Sequence, residues 1–298
     1  MDASLVLPRS LIENRRGSPW LKEIPEIVGK CSELWELRVG APLPQLFYNY
    51  LAAVERTDGS SAILKICPAD WEFVSELDAL RLYDGRGAVR LLESDEALGA
   101  MLLEPLRPGQ PIKTLDDDDL ATAIACGVMK RFWRPPPQPH RFRDLEYWGL
   151  AFHRHRQEYG GAGPIPAAIF ERGESMWKEL LDDGAARVVL HGDLNYGNVL
   201  SSARDSWLAI DPKGVLGEPV FDTAILLHDP SDRILAQPSP SRFLARRVDV
   251  IVEVTGFDRR RVIDWGLAYA VLSGVWSAEE QGADWEEAIA CAEVLRTL

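Results

Sequence analysis

The chain has 298 residues, 46% hydrophobic and 27% charged, with a formal net charge of −13. Such a composition supports a sizeable core in one or two domains, and its acidic balance argues against a nucleic-acid partner, because phosphate binding needs basic patches. No apolar run approaches the roughly 20 residues needed to span a bilayer, and MDASLVLPRSLIENRRGS lacks the pattern of a secretory leader, so a cytoplasmic protein is expected.

Leu5 to Arg15 and Pro19 to Ile24 read as peripheral helices, the second interrupted by Pro25. Glu33 to Val39, Leu46 to Val54 and Ser61 to Ile66 read as strands, with a hairpin signal at Thr57-Asp-Gly-Ser60. Lys65, in Ala62-Ile-Leu-Lys-Ile66, is similar to the strand lysine that contacts nucleotide phosphates in kinases. The helix expected over Ala69 to Tyr83 offers two partners for it, Glu72 and Glu76. Two further strands are expected at Ala88 to Glu93 and Gly99 to Leu103, followed by the breaker-rich connector Glu104-Pro-Leu-Arg-Pro-Gly109. If the similarity of Lys65 to the kinase strand extends this far, the connector is the hinge where an adenine ring would hydrogen-bond to the backbone of Glu104 and Leu106; otherwise it is a plain loop. The stretch between Gly40 and Asn49, GAPLPQLFYN, departs from a G-x-G-x-x-G loop, and no phosphate contact is assigned to it.

Beyond the connector the pattern turns helical. Asp116 to Asp119 suit the positive start of a helix over Leu120 to Phe132 rather than a metal site. Arg134 to Pro139 is a stiff loop, and helices are expected over Arg143 to Tyr159 and Pro164 to Leu181, with Gly160 to Gly163 as the turn between them. Cys31, Cys67, Cys126 and Cys291 lack paired ligand spacing and read as reduced thiols. His153 and His155 are two apart, so they do not share a helix face, and no HExxH accompanies them.

The chemistry concentrates in His191-Gly-Asp193-Leu-Asn-Tyr-Gly-Asn198 and Ile210-Asp211-Pro-Lys-Gly214. The spacing fits H-x-D-x-x-x-x-N followed by a short hairpin and a second Asp. Phosphoryl transfer asks mainly for positioning and charge neutralisation. Asp193 suits the carboxylate that accepts the acceptor hydroxyl's proton. Asp211 suits the carboxylate that holds magnesium against nucleotide phosphates, and Asn198 a neutral oxygen ligand completing the metal shell. Arg187 to Leu190 reads as a buried strand, and Asn198 to Leu200 with Trp207 to Ile210 as a hairpin. Lys213, beside Asp211, reads equally as a contact for phosphate or leaving-group charge and as an exposed turn lysine.

HGDLNYGNVL, AIDPKG and Gly217-Glu-Pro-Val-Phe-Asp222 resemble the aminoglycoside phosphotransferase family, in particular its streptomycin 6-phosphotransferase and hydroxyurea phosphotransferase branch, where DPKG replaces the DFG of protein kinases. The resemblance runs from about Trp35 to the C-terminus. It implies an α+β, two-lobed protein-kinase-like fold: a β-rich N-lobe over 1–103, a hinge at 104–109 and a mainly helical C-lobe over 110–298. It implies ATP (or GTP) and Mg²⁺ as cofactors, and it favours Glu76 over Glu72 as the partner of Lys65. It casts Asp222 as a brace for the catalytic loop, with His191 supporting the same backbone.

The last helices are expected over Ser239 to Thr255, Asp258 to Ser277 and Asp284 to Leu298. Glu279, Glu280 and Asp284 carry no nearby Lys or Arg in sequence, and Trp276 and Trp285 interleave with them, which suits a cationic small-molecule substrate. Streptomycin-like aminoglycosides are the favoured acceptor and hydroxyurea the second. A metabolic kinase for a sugar or amino-alcohol would share the same catalytic residues, a pseudokinase would bind nucleotide without turnover, and a protein kinase lacks its APE-type motif here. The sequence is compatible with a monomer or a homodimer.

Overall fold

In the computed structural model, which describes residues 5–44, 48–280 and 285–298, the N-terminal part is a sheet filled from both sides. Two helices, α1 (Arg9–Asn14) and α2 (Trp20–Leu34), precede strands β1 (Leu37–Pro42), β2 (Tyr50–Arg56) and β3 (Ser61–Ile66). Helix α3 (Trp71–Tyr83) follows, then β4 (Leu91–Asp95) and β5 (Ala100–Leu103). The five strands are antiparallel in the order β1-β2-β3-β5-β4. Ala62, Leu64 and Ile66 face the α2 side with Ala100 and Leu102, against Trp20, Ile24 and Cys31. The alternate residues Ile63, Met101 and Leu103 face Phe73, Leu77 and Leu80 of α3. Since side chains alternate along a strand, Lys65 shares the α3 side with Ile63.

Helix α3 is defined at both ends: Asp70 accepts hydrogen bonds from the Glu72 and Phe73 amides, and Asp84 closes it in the left-handed region. Phe73, Leu77 and Leu80 form an i, i+4, i+7 stripe on the sheet, and Glu76 falls on that stripe.

The second part begins where β6 (Pro108–Pro111) joins the hairpin of β9 (Val199–Ser202) and β10 (Ser206–Ala209) in the order β10-β9-β6. A third sheet, β7-β11-β8, combines β7 (Arg143–Asp144), β8 (Val188–Leu190) and β11 (Val215–Gly217). Around them stand α4 (Asp118–Phe132), α5 (Leu145–Tyr159), α6 (Ala167–Leu181), the short α7 (Phe221–Ala224) and α8 (Ser231–Leu235), then α9 (Pro240–Thr255), α10 (Arg259–Glu279) and α11 (Trp285–Leu295). Helix α10 is the central post, with Trp265, Leu267, Ala268, Ala270, Val271, Leu272 and Val275 buried along its length.

Four local expectations change. Helix α2 runs through Pro25, which is exposed, so water can serve the carbonyl that loses its donor. It also continues to Leu34, which moves the start of the first strand from Glu33 to Leu37. The second strand begins at Tyr50, and Leu46 lies outside the described residues. Pro108 and Gly109, expected as the end of a connector, instead open β6 (PGQP, 108–111), because its edge is paired by β9.

One packing contact has a measurable cost. Gly173 of α6 lies so close to α10 that a Cβ there would meet the Val271 Cβ and methyls at 2.6–2.7 Å. Gly173→Ala gains about 1 kcal/mol of helix propensity, but overpacking against a stiff β-branched side chain costs about 1–3 kcal/mol. A net loss of about 1 kcal/mol is expected in a urea unfolding experiment; a stabilised variant would mean that the two helices separate freely.

Candidate active site

The antiparallel hairpin sets two of the key side chains side by side. Val199 pairs with Ala209, so the residue before β9 and those after β10 emerge at the same end, and the Ile210 amide donates to the Asn198 carbonyl at 2.9 Å. Asn198 and Asp211 therefore share one wall of a cleft. Asp211 sits at φ 62°, in the left-handed region, a conformation that costs a non-glycine residue roughly 1 kcal/mol and that clusters at functional sites.

Asp193 leaves β8 through a loop fastened on its buried side. His191 is fully buried. Its Nε2 donates to the Ile210 carbonyl at 2.9 Å while its Nδ1 accepts from the Asp193 amide at 3.2 Å. That pair of partners assigns the neutral, Nε2-protonated tautomer. Burial depresses the imidazole to about 4, against the pull of the Ile210 carbonyl and Asp211. Below the ordinary value of 6.5 the unfolded chain takes up a proton that the folded ring refuses. Stability from this site is thus complete above pH 6.5 and is lost as pH falls towards 4. The stability advantage of the native protein over His191→Asn is expected to shrink by about 3 kcal/mol across that window. Parallel unfolding curves at several pH values measure it; a gap independent of pH would mean that the ring is charged when folded.

Asp222 completes the fastening. Its carboxylate accepts from the Gly192 amide at 2.8 Å, the His191 amide at 3.1 Å and Trp133 Nε1 at 2.8 Å. Burial pushes it up to about 6, against those three N–H donors. On the open side, Asn195 donates Nδ2 to Asp193 Oδ1 at 3.1 Å and accepts the Gly197 amide at 2.8 Å. Burial also lifts Asp193 to about 6; Lys213 and the Asn195 hydrogen bond oppose the rise, while Asp211 and Asp229 add to it.

Across the cleft, Lys65 is almost fully buried and bridges two carboxylates. Its Nζ is 2.5 Å from Glu76 Oε1 and also contacts Asp211 Oδ1. Burial alone would strip its proton, but Asp211 and Glu76 outweigh that and hold it charged. Burial likewise works against ionised Asp211, yet Lys65 and Lys213 hold its carboxyl below the usual range. Glu76 ends above its ordinary value because burial exceeds the help from Lys65. Glu72 is exposed and its side chain makes no contact with Lys65. The Lys213 amide donates to the His191 carbonyl at 2.7 Å, so its side chain starts beside the loop that carries Asp193.

Lys65, Asn198 and Asp211 line a cavity of about 1040 Å³. Its walls include Val39, Ala62, Ile63, Val89, Leu103, Leu200 and Ile210, an apolar slot of the kind that takes a flat ring. Glu104 and Leu106 line the same cavity. The Glu104 amide donates to the Arg90 carbonyl at 3.0 Å, and its carboxylate accepts from the Arg90 amide and from Arg204. Its own carbonyl and the Leu106 amide have no hydrogen-bond partner among the described residues.

The donors at the cleft fit a hard divalent cation. Asn198 donates Nδ2 to the Asp193 carbonyl at 2.8 Å, which leaves Oδ1 as a free acceptor. Asp211 brings the charged oxygens. One carboxylate and one amide oxygen suit Mg²⁺ when phosphate oxygens and water complete the shell. Among the described residues no group of three or more His, Cys, Asp or Glu side chains forms a self-sufficient metal site.

The acceptor side differs from expectation. Trp276 meets Trp148 edge-on at 5.4 Å between ring centroids, and Tyr269 lies 6.2 Å from Trp276 and 5.0 Å from His228. Trp148 abuts the catalytic loop, since a Cβ on Gly192 would lie 3.0 Å from its ring. Trp276 is thus linked through Trp148 to the loop that carries Asp193, but the other candidates are not part of this aromatic group. Glu279 is engaged by Arg154 of α5 at 3.4 Å, a cation its sequence neighbours do not supply. Glu280 is exposed where α10 ends. Trp285 packs against the core beside Gly274 and is in none of the ring contacts around Trp276. Asp284 lies outside the described residues. Sequence reasoning missed Trp148, Trp133, Asn195 and Arg204; only Asn195, inside the HGDLNYGN run, carried a local signal.

Residues 35–282 match the family model described as aminoglycoside/hydroxyurea antibiotic resistance kinase. The chain belongs to this family. It is 31% identical over 293 residues to a streptomycin 6-kinase of Streptomyces glaucescens, covering 94% of this chain and 92% of that protein. A hydroxyurea phosphotransferase of Kitasatospora aureofaciens is 32% identical over 314 residues, covering 99% and 87%. Among solved structures, the choline kinase LicA of Streptococcus pneumoniae superposes with a TM-score of 0.64 at 16% identity, over 93% of this chain and 100% of that one. The amicoumacin kinase hAmiN, solved with AMP-PNP and Ca²⁺, gives 0.63 at 14% identity over 96% and 94%. This member of the family thus has the two-lobed, kinase-like α+β fold, and it is a nucleotide-using phosphotransferase with an alcohol group as acceptor. No helix among its described residues is long and apolar enough to cross a membrane.

Proposed function

We propose that this kinase uses ATP or GTP with Mg²⁺ to phosphorylate a hydroxyl of a cationic aminoglycoside of the streptomycin type. The observation that carries the reading is the Glu76–Lys65–Asp211 chain, whose Lys65 and Asp211 line a largely apolar cavity together with Asn198, with Asp193 on the adjoining loop. In this reading residues 1–103 and 110–298 are the two lobes and 104–109 the hinge. The Glu104 carbonyl and Leu106 amide hold the base, and Lys65, kept in place by Glu76, holds phosphate oxygens. Asn198 and Asp211 would hold the metal, which when bound neutralises phosphate charge and keeps the transferred group in line. Asp193, a carboxylate raised towards neutrality, orients the acceptor hydroxyl and takes its proton. Lys213 lies between Asp193 and Asp211 in charge, attracted to both, and offsets negative charge on the transferred group. Trp148 and Trp276 offer ring faces and edges to the acceptor beside Gly192.

The test is phosphoryl transfer from ATP and from GTP to streptomycin, other aminoglycosides, hydroxyurea and choline, with products identified by mass spectrometry. A phosphorylated streptomycin that depends on Mg²⁺ is the expected product. Turnover of hydroxyurea or choline alone would overturn the acceptor assignment and leave the nucleotide site standing.

A further inference from the structure

Helix α3 carries Glu76 on its sheet-facing stripe, and its opposite face is gripped by the C-lobe. Trp71, Ser75 and Asp78 recur at i, i+4 and i+7 on that face. Ser75 donates its hydroxyl to the Gly214 carbonyl at 2.5 Å, three residues after Asp211. Gly214 is at φ 62°, and a Cβ on it would come within 2.5 Å of the Ser75 carbonyl, so the helix lies directly on this segment. The outer two contacts come from alternate residues of one extended stretch. Arg141 donates to both oxygens of Asp78, at 2.7 and 2.8 Å, and to Glu96 at 2.9 and 3.1 Å. The Arg143 guanidinium carbon stands 3.9 Å from the ring centre of Trp71 and 3.9 Å from that of Tyr147.

The Arg143 contact is unusual in its chemistry. Nη1 is buried and has no hydrogen-bond partner among the described residues. A guanidinium held this way gives up an oxygen acceptor for two aromatic faces, one on α3 and one on α5. Arg143 also sits in β7, paired with Val215 of β11, so it is anchored to the strand that follows Asp211. The clip therefore ties α3 to the same framework that fixes Asp211, on either side of Glu76.

We infer that Arg143, seconded by Arg141, is a positioning residue for phosphate binding. By clasping Trp71 it holds α3 so that Glu76 keeps Lys65 aimed at the nucleotide phosphates. The inference rests on the kinase reading of the Lys65 site. It makes Arg143 felt by ligands that carry phosphates and not by those that reach only the base.

The experiment compares binding of Mg²⁺·AMP-PNP and of adenosine by calorimetry to the native protein, Arg143→Ala, Arg143→Lys, Trp71→Ala, Glu76→Gln and the Arg143→Ala/Glu76→Gln double variant. Arg143→Ala and Trp71→Ala are expected to weaken AMP-PNP roughly five- to tenfold and to leave adenosine within twofold. Arg143→Lys, which keeps the charge over the ring, is expected to retain most of the affinity. The double variant is expected to bind AMP-PNP no more weakly than Glu76→Gln alone. Amide hydrogen exchange along α3 in the nucleotide-free protein should quicken in Arg143→Ala. A folded Arg143→Ala that keeps native AMP-PNP affinity while Glu76→Gln loses it overturns the inference and leaves the nucleotide site intact. Equal losses for adenosine and AMP-PNP overturn it too, because they would mark a general loosening. A native protein that binds neither ligand overturns the nucleotide reading, and the role of Arg143 falls with it.

Discussion

Asp193→Ala is expected to lower kcat for phosphoryl transfer by about 10²–10⁴-fold, the range of a positioned general base, while nucleotide affinity stays within a few-fold. The separation follows from the geometry. Lys65, Asn198 and Asp211 line the cavity proposed for the nucleotide, whereas Asp193 does not. Its carboxylate is instead held by Asn195 within the loop. Removing it deletes a group needed when the hydroxyl attacks but not when the nucleotide binds. Asp193→Asn refines the test: it keeps the shape and loses the base, so it should be nearly as slow as alanine. Asp211→Asn should show the opposite split, with weakened Mg²⁺-dependent nucleotide binding, because it removes the charged metal ligand and one of the two carboxylates on Lys65. Rates from single-turnover experiments and affinities from calorimetry separate these cases. An Asp193→Ala variant that still transfers phosphate at the native rate would remove Asp193 from the chemistry.

The grouping of the candidate site was legible because the residues that build it are local in sequence. His191 to Asn198 and Ile210 to Gly214 lie at the two ends of one hairpin, so a fixed sequence spacing becomes a fixed distance in space. Lys65 was legible for a similar reason: an unpaired charge in Ala62-Ile-Leu-Lys-Ile66, a strand buried on both faces, must find a partner. Which partner was not written locally. Glu72 and Glu76 have the same chemistry, and only the stripe of Phe73, Leu77 and Leu80 turns Glu76 to the sheet. Helix α2 misled at Pro25 because a proline's cost depends on whether water reaches the freed carbonyl, which is a tertiary fact. β6 was invisible because PGQP has turn composition, and its strand geometry comes from pairing with β9. The acceptor side read worst. Glu279 looked free because the cation facing it, Arg154, is 125 residues away. Trp148, which abuts Gly192, lies in a helix whose pattern gives no sign of it.

Asp222→Ala should affect stability and rate together, since the buried carboxylate serves only to hold the loop. It leaves the His191 amide, the Gly192 amide and Trp133 Nε1 without an acceptor. Each buried donor stranded this way costs about 1–3 kcal/mol, and breaking a buried network is among the few routes to a loss of about 4 kcal/mol or more. Part of that cost can be avoided only if the loop moves to find other acceptors or water. Movement at Gly192 shifts Asp193, the next residue, and misplacement of about 1 Å is worth about 10²-fold in rate. A drop of that size in kcat is expected from protein that is still folded at low temperature. Asp222→Asn, which keeps one acceptor oxygen, should fall between alanine and the native protein on both measures. Trp133→Phe removes a donor along with the need for its acceptor, so it should cost less than either. Urea unfolding and steady-state rates on the same samples give both quantities. If folded Asp222→Ala keeps its native kcat, the loop is held by His191 and its bond to the Ile210 carbonyl instead, and the carboxylate matters to folding alone.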